Sequence, residues 1–112
     1  MDFKITNGKG FHLTFSSGYT VSVQWGWGNY CGNNGGGLSI PSGGLAAENV
    51  RLGEQGSTTA EVAVWGEDGE MLEIADMDSV IGWVTADDVA RIIGFAAAGD
   101  VDSLTPFHQT VE

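Results

Sequence analysis

Two groups of side chains in this sequence are of the types that carry recognition chemistry. The first is Trp25-Gly26-Trp27-Gly28-Asn29-Tyr30-Cys31-Gly32-Asn33-Asn34, where aromatic planes, amides and a thiol crowd into one glycine-rich stretch. Indole and phenol rings stack on a base, a sugar or a partner side chain, and amides add directional hydrogen bonds. The second is the carboxylate run Glu67, Asp68, Glu70, Glu73, Asp76 and Asp78, flanked by Glu61, Asp87 and Asp88. Carboxylates presented together can stand in for phosphates opposite Lys and Arg, which suits competition for a nucleic-acid-binding surface on another protein. Trp27, Asn29 and Tyr30 in the first group, and Glu67, Asp68, Glu70, Glu73, Asp76 and Asp78 in the second, are therefore the candidate partner-binding residues.

Catalysis has less to draw on. A nucleophile needs a base within reach, yet His12 falls at the polar phase of a strand pattern, Cys31 lies in a loop, and no GxSxG or HxxxH spacing occurs. The glycines lack the GxGxxG and GxxxxGK[ST] spacings of phosphate loops, and no helix pattern starts behind them. Asp76-Met77-Asp78 and Asp100-Val101-Asp102 lack the further ligands, central Gly and closing Glu of a calcium loop. A single cysteine forms no internal disulfide, and His12 and His108 lie far from it in sequence, which argues against zinc. The reading is a non-enzyme without cofactor or metal.

Charge placement says more than charge size. The net charge is −11, and in residues 1–60 Asp2, Glu48 and Glu54 offset Lys4, Lys9 and Arg51. All of the net charge therefore belongs to residues 61–112, where Arg91 is the only cation. One side of the folded surface should be negative, which argues against direct binding to nucleic acid or to a membrane surface. No apolar run approaches the ~18–20 residues of a membrane span. The start Met1-Asp2-Phe3-Lys4 lacks the basic-then-apolar pattern of a secretory signal, so a cytoplasmic location is expected.

The elements that must position these groups follow from periodicity. Phe3 and Ile5 alternate with polar residues, then Asn7-Gly8-Lys9-Gly10 supplies a turn, and Phe11, Leu13 and Phe15 alternate again. Tyr19, Val21, Val23 and Trp25 continue the pattern. A three-residue loop Ser16–Gly18 sets Phe15 against Tyr19, Leu13 against Val21 and Phe11 against Val23, with Gly18 at the left-handed position. By the same reasoning a loop Glu67–Gly69 sets Val64 against Leu72 and Val62 against Ile74 in a second hairpin. Ala63, Trp65 and Met71 on its other face then need a cover, either the helix or a second copy, so a homodimer is expected.

Val80–Val84 reads as a last strand. Thr85 followed by Asp87 and Asp88 is a helix start; Val89, Ile92, Ile93 and Ala96 form one stripe, and Gly99 is a C-terminal stop. A helix is predicted over residues 86–98. At 112 residues the chain should be a single domain: an α+β fold, with an antiparallel sheet of five or six strands and one C-terminal helix. A glycine-rich loop over 26–44 and an irregular tail over 100–112 complete it. The predicted core is Phe11, Leu13, Phe15, Val21, Val23, Val62, Val64, Leu72, Ile74, Val89, Ile92 and Ile93.

The segments Gly10-Phe11-His12-Leu13-Thr14-Phe15, Gly18-Tyr19-Thr20-Val21-Ser22-Val23-Gln24-Trp25 and Gly28-Asn29-Tyr30-Cys31, with Ala60-Glu61-Val62-Ala63-Val64-Trp65 later, resemble a group of small uncharacterised bacteriophage proteins. The likeness covers most of residues 10–98, and its glycine-rich insert, Gly35 to Gly44, is unusually long. It implies a phage origin and action in the infected bacterial cytoplasm, and carries no binding residues with it. The leading expectation is a phage accessory protein that binds a host protein, such as a nucleic-acid-binding component of a CRISPR defence system. The alternatives are a nucleotide-binding or sequestering protein, with Trp25, Trp27, Asn29 and Tyr30 about the pocket, and a structural, oligomerising phage component.

Overall fold

Period-two alternation places one set of side chains on each side of a strand, and the chain uses it five times. The structure, a computed structural model, describes residues 1–6, 9–26, 31 and 57–110. Strands β1 (Asp2–Ile5), β2 (Gly10–Thr14), β3 (Thr20–Gln24), β4 (Thr59–Trp65) and β5 (Val80–Thr85) make one sheet in that order, every pair antiparallel. Helix α1 (Ala86–Ala98) and the single turn α2 (Val101–Leu104) follow. This is the α+β fold expected, with five strands and the main helix over the predicted residues. No described helix is long and apolar enough to cross a membrane.

The first hairpin has the predicted register. Leu13 faces Val21 and Phe11 faces Val23. The Phe15 N–H donates to Tyr19 O at 2.9 Å, and Gly18 closes the loop at φ 95°, where a side chain would be strained. The apolar row continues across the sheet: Val21 faces Val64, and Val23 faces Val62, which faces Ile81. Val21, Val23, Val62 and Val64 are buried under α1, which packs on β3, β4 and β5. Phe11, Phe15, Leu72, Val89 and Ile93 of the predicted core are half-buried against this cluster, and Leu13 is half-buried on β2, which lies outside the helix contacts.

The second hairpin begins as predicted and then departs. Leu72 N–H donates to Val64 O at 2.9 Å, and Trp65 bridges to Met71, which is the expected register. Beyond that point residues 72–74 form no strand, and Ile81 rather than Ile74 faces Val62. A strand edge accepts one partner, and β5 occupies it. Ile74 still buries completely, as a plug beneath the sheet rather than as a rung of it.

Helix α1 has the boundaries its sequence asks for. The Thr85 hydroxyl accepts the Asp88 N–H at 3.3 Å at the start. At the end Gly99 (φ 71°) and Asp100 donate to Ala96 O and Phe95 O, a Schellman closure. Asp88, grouped by sequence with the acids that flank the carboxylate run, is set apart from them by the fold: it is fully buried. Its carboxylate accepts from the Thr110 N–H and hydroxyl, each at 2.8 Å, and pairs with Arg91 at 2.9 Å. Burial alone would raise this carboxyl; the Thr110 hydroxyl, Arg91 and the Thr110 N–H together hold it below its ordinary 3.8.

The tail is correspondingly more ordered than expected. Arg91 also donates to His108 O at 2.9 Å and lies 4.7 Å from the Phe107 ring centroid. Leu104 and Phe107 are buried, and Phe107 N–H donates to Ile74 O at 2.9 Å. Apolar residues too sparse to show a period, Leu104 and Phe107, still close the core.

If the tail is part of the core, Phe107→Ala should cost about 3–5 kcal/mol in urea unfolding, as large-to-small aromatic core changes do. Phe3→Ala, at a side chain 84% exposed, should stay within about 0.5 kcal/mol of the wild type.

Candidate functional site

Residues 66–79 join β4 to β5 and carry the whole predicted carboxylate run. Their backbone is organised by two tight turns. In the first, Gly69 N–H donates to Gly66 O, Gly66 N–H donates to Glu70 O, and the Asp68 carboxylate accepts the Glu70 N–H at 2.9 Å. In the second, Ala75 and Asp78 exchange backbone bonds of 3.0 and 3.3 Å around Asp76-Met77, with Met77 at φ 58°. Half-buried Leu72 and buried Ile74 hold the stretch between them down. Glu67, Asp68, Glu70, Glu73, Asp76 and Asp78 are thereby all exposed.

These carboxylates share one end of the molecule. Val80 faces Ala63, so the chain before β5 extends past Trp65 toward the Gly66–Gly69 turn. The Ser16–Gly18 loop lies there too: a Cβ on Gly18 would sit 3.5 Å from the Glu67 carboxylate. The Ser17 hydroxyl donates to Ala96 O at 2.6 Å, which brings in the C-terminal end of α1. That end carries partial negative charge, and its last turn holds no basic residue. Among the described residues the one ion pair is Arg91 with Asp88, so the six exposed carboxylates face solvent without a neutralising cation. No described group of three or more His, Cys, Asp or Glu is placed to hold a metal ion.

Exposed apolar side chains stand among the acids. Met77 is 92% exposed between Asp76 and Asp78, and Met71 is 40% exposed. Apart from them, opposite Glu61 and away from the acidic end, Trp83 on β5 is 54% exposed with φ 52°. The register shift between Ala60 and Val62 matches Glu61 with both Gly82 and Trp83, a β-bulge that re-aims the indole. Trp83 and Met77 were not among the predicted site residues; the signal for the former was Gly82 inside an otherwise apolar strand, which marks a bulge.

The other predicted group falls differently. Trp27, Asn29 and Tyr30 lie outside the described residues, as does the 26–44 loop apart from Gly26 and Cys31. Cys31 is buried, its Sγ 3.7 Å from Gly26 O. At this opposite end a cavity of about 300 Å³ opens among Phe11, Val23, Trp25, Ala60, Val84 and Val89. Phe11 and Trp25 meet edge to face at 5.8 Å.

On the sheet face away from α1, His12 packs edge to face on Trp65 at 4.9 Å. This covers part of the face for which a second copy was expected. Next to it the hydroxyls of Thr14 and Thr20 meet at 2.9 Å, and Gln24 Nε2 donates to Thr6 Oγ1 at 2.6 Å. Burial and the Lys4 ammonium both lower the His12 pKa below 6.5. Its surroundings are those of a packed neutral imidazole.

The chain matches no protein-family model, no curated protein and no solved structure. The reading of the site rests on its own geometry.

A lowered histidine pKa means that the folded state resists a proton the unfolded chain accepts. Stability from this source is complete above about pH 6.5 and declines as the pH falls toward the lower folded value. His12→Gln should therefore flatten the pH dependence of urea unfolding between about pH 8 and about pH 5 relative to wild type.

Proposed function

We propose that this protein is a non-enzymatic binding protein whose acidic end engages a basic surface on a macromolecular partner. The observation that carries the reading is the set of six exposed carboxylates, Glu67 to Asp78, held by two tight turns beside the C-terminal end of α1 and without a cation among them. Clustered Lys and Arg that normally hold phosphates offer the complementary potential. Met77 and Met71 add apolar contacts inside the charged field, the mixture of anchor and polar rim that protein interfaces use. The likeness to small phage proteins supplies the setting: a phage accessory protein acting in an infected bacterial cell on a nucleic-acid-binding host protein, such as a component of a CRISPR defence system.

A second reading rests on the apolar cavity beside Trp25. Its volume lies at the lower end of the ~300–1,000 Å³ typical of ligand pockets, and a nucleotide base is the planar ligand such walls would stack. In that case Trp25→Ala weakens nucleotide binding, with a stacking plane worth about 1–3 kcal/mol, and charge changes on the turns are silent.

The two are separated by one comparison. Immobilised wild-type protein and the variant Glu67→Lys/Asp68→Lys/Glu70→Lys are used to capture nucleic-acid-binding proteins from a bacterial lysate in graded salt. Under the leading reading capture by the wild type falls steeply with salt, since screening shortens the reach of charges to about 8 Å at physiological ionic strength. Added DNA competes, the charge-reversed protein captures nothing, and Trp27→Ala has little effect. Capture that ignores salt, DNA and charge reversal would refute it.

A further inference from the structure

The edge of the sheet farthest from the acidic end's connection is β1, and its chemistry is unlike the rest of the surface. Phe3 faces Leu13 and Ile5 faces Phe11, so these side chains continue the apolar row that crosses β2, β3 and β4. Helix α1 packs on β3, β4 and β5. Met1, Phe3 and Ile5 are 93%, 84% and 81% exposed. Strand β1 has neither proline nor bulge; it is short, and Asp2 and Lys4 are charges that guard a free edge against a strand that does not match them.

The backbone of this edge is also set for a partner. Thr6 N–H donates to Gly10 O at 3.0 Å. By the alternation of an antiparallel ladder, Lys4 opposite His12 and Asp2 opposite Thr14 likewise turn their backbone groups toward β2. The N–H and C=O of Phe3 and Ile5 therefore point outward. The Phe3 N–H is taken there by its own Asp2 carboxylate at 2.9 Å, a local substitute for a strand.

We propose that the partner is a second copy of this chain, joined β1 to β1 antiparallel about a two-fold axis through Phe3. Side chains directly opposite in such a pair lie on the same face. With Phe3 facing Phe3, Asp2 of each copy faces Lys4 of the other, and Ile5 faces Met1. Every pair is matched. A slip of two residues in either direction sets Lys4 against Lys4 or Asp2 against Asp2, and a slip of one sets apolar side chains against charged ones. The same register uses the outward backbone groups of Phe3, and the Asp2 carboxylate exchanges the Phe3 N–H for the ammonium of Lys4. Sequence and free hydrogen-bonding groups thus select one alignment of one strand with itself. A single strand pair is smaller than the ~1,200 Å² of a standard interface, so the dimer depends on concentration.

Sedimentation equilibrium from micromolar to millimolar concentration tests this. The wild-type mass should rise from 11.7 kDa toward twice that value. Asp2→Lys and Lys4→Glu should each weaken association about tenfold or more, because like charges then oppose directly. Mixed in equal amounts, the two variants should associate again, since every cross-pair becomes attractive; this also shows that both are folded. Phe3→Lys should abolish the dimer with an unchanged circular dichroism spectrum. A wild type that stays at 11.7 kDa at the highest concentration overturns the proposal. So does a dimer indifferent to both charge variants, which would mean packing through another surface, including face to face over the apolar row.

Discussion

The outer edge of β4 can bond to one strand, and the second half of the molecule follows from which strand takes it. Residues 70–74 reach that edge first along the chain and make the opening contacts, Leu72 to Val64 and Met71 to Trp65. Strand β5 offers a longer match, with Ile81 on Val62 and Val84 on Ala60 both buried. Once β5 is in place, the intervening chain has to leave the sheet. What remains is a surface connection whose carboxylates face water, with Met71 and Met77 exposed among them, while Leu72 and Ile74 turn inward.

That displaced connection is then secured from the other side. Ile74 accepts a backbone bond from Phe107, Phe107 lies under Arg91, and Arg91 is held by the buried carboxylate of Asp88. The chain of contacts runs from the first turn of α1 through the tail to the base of the acidic turns. The buried carboxylate is tolerable because partly exposed Arg91 pairs with it and the Thr110 N–H and hydroxyl satisfy the rest; an unpaired charge at the same depth would be strongly destabilising. A loop with few apolar contacts of its own is in this way given a fixed shape.

Much of this was legible in the sequence because it depended on neighbours. The Ser16–Gly18 loop, the facing of Leu13 with Val21, and the limits of α1 at Thr85 and Gly99 are local decisions, and the residues that make them stand side by side. Competition for the β4 edge is not local: Leu72 and Ile74 have a strand's spacing, and nothing near them reveals that Ile81 will displace Ile74. The burial of Asp88 was not legible for the same reason, since its partner Thr110 lies a helix and a turn away. At the candidate site the carboxylates were evident from composition, whereas Met77 became visible only through turn geometry. Trp27, Asn29 and Tyr30 lie outside the described residues.

The arrangement of α1 against the strands has an electrical consequence. The helix starts beside the end of the sheet where Lys9 leads into β2, and it returns to the end that holds Glu67 and Asp68. Among the described residues the six exposed carboxylates and the C-terminal end of α1 share one end of the molecule, and that end is a negative pole. In the field of a positively charged surface such a molecule experiences a torque before it makes contact. Under the proposed function it would be turned to arrive strand ends first, so much of the orientational search would be completed at a distance and the encounter rate would depend on ionic strength as the complex itself does.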